Sequence, residues 1–255
     1  MRVCLTVAGS DSVAGAGIQA DLRTFHHFGV YGVSVITSVT AQNTRGVEGV
    51  HNVPPEFIRA QLQSIFSDVR VDSVKLGMLS TKASVEAVAQ GLAKHRATNV
   101  VIDPVMVAKG GAVLLDENAR KELKATLLPL GKIVTPNIHE ASWLSGEEIR
   151  TEEDMKHSAE IIHEFGVEWV LVKGGHLEGN VVDILYDGKE MESLGTDDGK
   201  WEEVHGTGCV LSAGIAACLA KGFGVRDAVL QARSYLARAV VDALKIGSGW
   251  KVIAV

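Results

Sequence analysis

Short apolar or β-branched runs alternate along this chain with segments whose apolar residues recur every three to four positions. The runs lie at residues 3–7, 33–37, 73–76, 100–102, 133–134 and 170–172. They are too short to be helices. Their largely apolar character demands cover on both faces, the condition of a strand in a parallel sheet. Helical periodicity fills the gaps at 18–28, 56–66, 83–93, 118–127, 140–144 and 155–165. In the second of these segments Phe57, Leu62, Ile65 and Phe66 fall on one side. Strand, crossover helix and next strand, repeated in this way, build a sheet with helices on both faces.

The rhythm changes after residue 172. Residues 181–186 and 189–194 are extended runs around Asp187-Gly188, a pair that accepts the positive φ of a hairpin turn. Residues 201–204 offer one more antiparallel strand, and helices at 208–221 and 225–244 close the chain. No repeat, linker or low-complexity stretch interrupts it. The expected fold is a single three-layer α/β domain over residues 1–255, with a mostly parallel central sheet, flanking helices and an antiparallel hairpin edge.

Composition excludes several functions. Charged residues make up 22% of the chain, its net charge is -6, and no block of basic residues occurs. A nucleic-acid partner, which needs a basic face, is therefore not expected. The apolar run at the N-terminus ends at Gly9, too short to cross a membrane and without a secretion-signal layout. The expectation is a cytoplasmic protein with no membrane partner. The three cysteines, Cys4, Cys209 and Cys218, show no metal-ligand spacing, and their odd number argues against a disulfide framework. Cys4 in a strand and Cys218 in an apolar helix read as core residues. Cys209 has a different setting.

Ligands of such sheets bind beyond the carboxyl ends of the strands. Those ends carry Gly9-Ser10-Asp11, Thr40-Ala41-Gln42-Asn43, Gly77-Met78, Asp103-Pro104-Val105, Thr135-Pro136-Asn137 and Lys173-Gly174-Gly175-His176. Turns alone also enrich Gly and Asn, so each segment is weighed by its chemistry. In His205-Gly206-Thr207-Gly208-Cys209 two glycines open an apolar helix. Free N–H groups at a helix start form an anion site, suited to a phosphoryl group in transfer. A bare glycine pair would read as a plain helix start. Cys209 on the first turn favours function, because the helix dipole there favours a thiolate.

The other segments are more ambiguous on spacing alone. Residues 9–21 form a glycine-rich strand-to-helix turn that is neither a dinucleotide fingerprint nor a Walker A loop. Its glycines let a small ligand approach the backbone, and Asp21 reads as a solvated helix residue. Asp103 ends a buried strand, where an acid seldom stands without a partner or a metal. Asn137 and Glu140 read equally as a helix capping box or as Mg2+ or phosphate groups. Lys173, at the end of a buried strand, needs an anion, and a nucleotide phosphate would serve. His176 reads as a turn residue.

In this order the segments resemble the hydroxymethylpyrimidine phosphate kinases of the ribokinase-like superfamily, through nearly the whole chain. The resemblance is carried by residues 14–21, 40–47, 75–79, 103–106, 135–137 with Glu140-Ala141, 173–176 and 205–212. It implies a ribokinase-like fold and two ATP-dependent steps. The first phosphorylates 4-amino-5-hydroxymethyl-2-methylpyrimidine, and the second converts its monophosphate to the diphosphate. It places Gly9, Asp21, Gln42, Met78 and Val105 around the pyrimidine. Gln42, which both donates and accepts, suits the aminopyrimidine edge, and Met78 and Val105 give a flat ring an apolar floor. It assigns Asp103 and Glu140 to Mg2+ through water, and Lys173 and Asn137 to ATP. It makes Gly206, Thr207, Gly208 and Cys209 the anion hole. Cys209 stands where many ribokinase relatives carry a proton-accepting Asp. A thiolate can act as base, although a metaphosphate-like transition state needs little such help. The resemblance also implies a homodimer.

Two departures accompany it. Val13-Ala14 fills a place where the family has small Ser or Gly residues. Gly247-Ser248-Gly249-Trp250 replaces the family's Gly-His-Gly-Pro ending, which puts closure of the C-terminal edge in question. With Val255 the last residue, no fused second enzyme is expected. The nearest rival is a pyridoxal kinase on the same scaffold, against which Thr40-Ala41-Gln42-Asn43 favours the pyrimidine. A catalytically silent nucleotide sensor is disfavoured by the intact anion hole.

Overall fold

Six parallel strands form the centre of a nine-stranded sheet in the computed structural model, which describes residues 1–175, 182–195 and 204–253. In chain order the strands are β1 (Val3–Ser10), β2 (Tyr31–Asn43), β3 (Gly46–Asn52), β4 (Ser73–Leu76), β5 (Val100–Ile102), β6 (Ile133–Val134), β7 (Val170–Val172), β8 (Val182–Tyr186) and β9 (Met191–Gly195). They lie in the order β3-β2-β1-β4-β5-β6-β7-β8-β9. Strands β3, β8 and β9 run antiparallel to their neighbours. The expected hairpin is present, with Gly188 at φ 89° in its turn.

The helices are α1 (Gly17–His27), α2 (Pro55–Phe66), α3 (Lys82–Lys94), α4 (Glu117–Glu122), α5 (Ile138–Ser145), α6 (Glu152–His163), α7 (Thr207–Ala220) and α8 (Val225–Val241). Successive strand residues point to opposite faces, and this divides the core in two. Leu5, Val74, Leu76, Val100, Ile102 and Val172 pack with α2, α3 and α6. Cys4, Val101, Ile133 and Leu171 pack with α7 and α8. Every residue of α7 from Val210 to Ala220 is buried, because the sheet, α1 and α8 surround it. Its all-round apolar sequence is what such a position requires.

Three local expectations change. The sheet has a second antiparallel edge, because β2 continues to Asn43 and turns back into β3. The helix expected over 118–127 is regular only to Glu122. It continues as a π-turn at Leu123–Leu127 and a tighter turn at Leu128–Leu130, where Pro129 has no N–H to extend an α-helix. Val204 does not add an antiparallel strand to the main sheet. With His205 it forms β10, paired in parallel with β11 (Lys251–Val252). His176, Val181 and residues 201–203 lie outside the described residues.

The C-terminal edge closes without the family's usual ending. The N–H of Trp250 donates to the Thr44 carbonyl at 2.8 Å, and that of Gly249 to Thr44 Oγ1 at 3.2 Å. A Cβ on Gly249 would run into the same carbonyl. The last strand is thereby laid over the β2–β3 turn and against His205, at the rim where the parallel strands end.

Candidate active site

A cavity of about 260 Å3 opens at this rim, between the carboxyl ends of the parallel strands and the start of α7. Twelve of the residues assigned a role from sequence line it, and Asp21 alone does not. Topology gathers them: Gly9 is the next-to-last residue of β1, and Met78, Val105, Asn137 and Lys173 stand within three residues beyond the ends of β4, β5, β6 and β7.

The anion loop depends on absent side chains. Gly206 caps α7 at φ 90°, and a Cβ there would collide with the Gly15 carbonyl of the glycine-rich turn. The two loops can therefore meet only as glycines. A Cβ on Gly208 would stand 3.4 Å from Lys173 Nζ and 3.6 Å from Asp103 Oδ2, so these charges lie directly over the helix start. The first-turn N–H groups of α7 have no partner within the helix.

Cys209 stands half-buried on that first turn, and the Gly17 N–H donates to its sulfur. The expected thiolate is not supported. Burial pushes the thiol up to about 11; Lys75 opposes the shift, and Asp21 and Asp103 add to it. One helix terminus favours an anion by about 0.3–1 kcal/mol, less than desolvation costs here. At neutral pH Cys209 is a neutral thiol.

Lys173, Asp103 and Glu140, with Asn137 beside them, form the charged wall. Lys173 Nζ lies 3.3 Å from Asp103 Oδ1, and Ser212 Oγ donates to Asp103 Oδ2 at 3.3 Å. Burial and then Asp103 push the carboxyl of Glu140 above the usual range, while Lys173 opposes them. Asn137 and Glu140 make the capping box of α5. The Glu140 N–H donates to Asn137 Oδ1 at 2.9 Å, and the Asn137 N–H to Glu140 Oε2 at 2.8 Å. The cap occupies the Asn137 side-chain oxygen, leaving its Nδ2 group for a ligand. Two carboxylates sharing one lysine suit Mg2+, which usually binds through one or two carboxylates, phosphate and water. Among the described residues no cluster of three metal-binding side chains occurs, and this ion needs none.

The opposite wall suits an organic ring. Met78 lies against Gly9, where a Cβ would stand 3.2 Å from the sulfur. Gln42 is held at 3.0 Å from His205 Nε2 and 3.3 Å from Thr40 Oγ1. His205 Nε2 also meets Asp11 Oδ2 at 3.2 Å. Burial acts to raise the Asp11 carboxyl, but His205 and the N–H groups of Ala16 and Val13 outweigh it and hold it below the usual range.

Asp21 is neither solvated nor in the wall. Its carboxylate is fully buried one layer behind the cavity, accepting from Thr6 Oγ1 at 2.6 Å and from Lys75 Nζ at 2.8 and 2.9 Å. Lys75 itself lines the cavity. The sequence reading gave no role to Lys75, Asp11, His205 or Ser212. A signal existed for Lys75, since a lysine in a four-residue buried strand must have a partner.

The family described as phosphomethylpyrimidine kinase matches residues 11–254. The chain belongs to this family. Among its relatives, the hydroxymethylpyrimidine/phosphomethylpyrimidine kinase of Rhizobium meliloti is 47% identical over 97% of this chain and 94% of its own length. The thiamine biosynthesis bifunctional protein ThiED of Geobacter sulfurreducens is 49% identical over 96% of this chain, which spans only 50% of that protein. Among solved structures, the ADP complex of Bacillus subtilis pyridoxal kinase superposes with a TM-score of 0.92 at 38% identity, covering 99% of this chain and 97% of that one. The ribokinase-like architecture and the kinase family expected from the sequence are therefore both present.

Proposed function

We propose that the chain transfers the γ-phosphoryl group of ATP to 4-amino-5-hydroxymethyl-2-methylpyrimidine, and then a second one to the monophosphate, as a step of thiamine biosynthesis. The observation that carries this reading is one cavity with two unlike walls meeting at the start of α7. Lys173 and Asp103 suit a nucleotide phosphate and its cation; Gln42, Met78 and Val105 suit a flat ring with a polar edge.

In this reading the ring lies against Met78 and Val105, with Gln42 on its aminopyrimidine edge. The hydroxymethyl oxygen faces the first turn of α7. Lys173 binds the ATP phosphates, with the Asn137 Nδ2 group at hand. The N–H groups of Thr207, Gly208 and Cys209 receive the phosphoryl oxygens, where fixed donors are worth most. Asp103 and Glu140 hold Mg2+, which neutralises phosphate charge when bound. Cys209, a neutral thiol, positions the attacking hydroxyl and does not act as a resting base. Loose phosphoryl transfer needs little base assistance.

A second reading, pyridoxal phosphorylation, is favoured by the likeness to pyridoxal kinase. The two substrates differ at the ring edge that Gln42 would meet. Cytoplasmic action as a homodimer completes the proposal. No described helix is long and apolar enough to cross a membrane, and Val39 and Val50 stand exposed on the β2–β3 hairpin. Incubation with ATP, Mg2+ and the pyrimidine alcohol, followed by phosphorus NMR, should show the monophosphate first and the diphosphate later. Absence of both products would contradict the reading.

A further inference from the structure

Lys75 combines three properties that the preceding roles leave unused. Its side chain is fully buried, yet it forms part of the cavity wall. An ammonium group has three N–H donors, and the hydrogen bonds of Lys75 to Asp21 engage two of them. Space beside Nζ is kept by Gly77, where a Cβ would stand 3.0 Å away. Cys209, on the first turn of α7, lies close enough to interact with it. Among the described residues no hydrogen bond engages the third donor, and Nζ lies near the start of α7.

A purely structural ion pair would not need this placement. Buried pairs can often be replaced by apolar residues without loss of stability, and Thr6 already serves one Asp21 oxygen. A buried ammonium with a spare donor in a cavity wall fits a ligand oxygen.

We propose that Lys75 is an acceptor-site residue whose third N–H donates to the hydroxymethyl oxygen, beside the Cys209 thiol. The inference rests on the proposed function and deepens it. As that oxygen attacks the γ-phosphorus, the new O–P bond forms and the bond from phosphorus to the β,γ-bridging oxygen breaks, its electron pair leaving with ADP. The hydroxyl proton departs late, to an oxygen of the transferred group. Lys75 keeps its own proton throughout, held as ammonium by Asp21. A cation there fixes the oxygen in line and favours loss of its proton without a resting base. This is the help that a neutral Cys209 does not give.

The test compares Lys75→Met, Asp21→Asn and the double variant Lys75→Met/Asp21→Asn with the wild-type enzyme. Folding is monitored by circular dichroism. Steady-state kinetics are measured with ATP, Mg2+ and the pyrimidine alcohol, and ATP affinity by calorimetry. The double variant removes both charges, so it should fold even where Lys75→Met alone does not. It should lose about 10²–10³-fold in kcat, the usual cost of one donor to a reacting oxygen, with ATP affinity unchanged. Asp21→Asn alone, which loosens the ammonium but leaves the donor in place, should lose less in kcat than the double variant. A folded double variant with near-normal kcat would make the pair structural and overturn the proposal. Equal losses in Asp21→Asn and the double variant would transfer the role to Asp21 and overturn it as well. A wild-type enzyme that does not phosphorylate the alcohol would overturn the functional reading itself, and this inference with it.

Discussion

The ammonium of Lys173 stands 3.3 Å from the Asp103 carboxylate, although the two lie far apart in sequence. Strands β5 and β7 end at the same rim on either side of β6, so both side chains meet over Gly208. Lys173→Ala should raise the KM for ATP more than that for the pyrimidine. Losing a hydrogen bond to a charged group costs about 1.5–3 kcal/mol. A larger change on the pyrimidine in steady-state kinetics would move Lys173 to the acceptor side.

Cys209 should label with iodoacetamide before Cys4 and Cys218, because of access and not because of an acidic thiol. Cys218 is also pushed up to about 11, and Cys4 further, but they are 2% and 0% exposed. With the folded-state value raised, the neutral thiol is the form the fold favours. That contribution to stability is present at neutral pH and is lost as pH rises through about 11. Labelling should therefore be slow at neutral pH and accelerate about tenfold per pH unit toward that value, and ATP with the pyrimidine should protect. Peptide mapping decides the order. Fast, pH-independent labelling at neutral pH would restore the thiolate.

Replacing this thiol should cost less than a general base does. Removal of a base usually costs about 10²–10⁴-fold, so Cys209→Ala should fall below about a hundredfold in kcat. ATP affinity should stay unchanged, since the backbone amides remain. A loss at the upper end of that range would return the base role to Cys209.

Gln42→Leu should keep the fold and weaken the pyrimidine. Its amide already has His205 and Thr40 as neighbours, so the change also strips a placed network. An unmade buried hydrogen bond costs about 1–3 kcal/mol. Calorimetry showing unchanged affinity for the alcohol would remove Gln42 from the ring edge.

The sequence departure at Val13-Ala14 has a backbone consequence. Ala14 sits at φ 59°, in the left-handed region that costs a residue with a Cβ about 1–2 kcal/mol. Ala14→Gly gives back part of this in unfolded-chain entropy, so a net gain of about 1 kcal/mol is expected. That corresponds to about 2–4 °C in Tm for a chain of this size. A lower Tm on thermal unfolding would contradict the strain.

What was legible in the sequence was local. The apolar runs disclosed the parallel strands because burial on both faces leaves a continuous signature. The Asn137–Glu140 box was legible because its partners are three residues apart. Strand β3 escaped because its residues are half-exposed and mixed, as an edge strand allows. Asp21 read as solvated because helical periodicity cannot show that Lys75, 54 residues on, faces it from β4. The thiol of Cys209 was misjudged for the same reason. The helix dipole is visible in the sequence, whereas the burial that overrides it, and the Asp21 and Asp103 carboxylates that add to the shift, come from the fold and from distant segments.

The central claim is the choice of acceptor, and a competition assay tests it most directly. The wild-type enzyme, given ATP, Mg2+ and equal concentrations of the pyrimidine alcohol and pyridoxal, should phosphorylate the pyrimidine with the higher kcat/KM and carry its monophosphate on to the diphosphate. A higher kcat/KM for pyridoxal, with no diphosphate formed from the pyrimidine, would contradict the account.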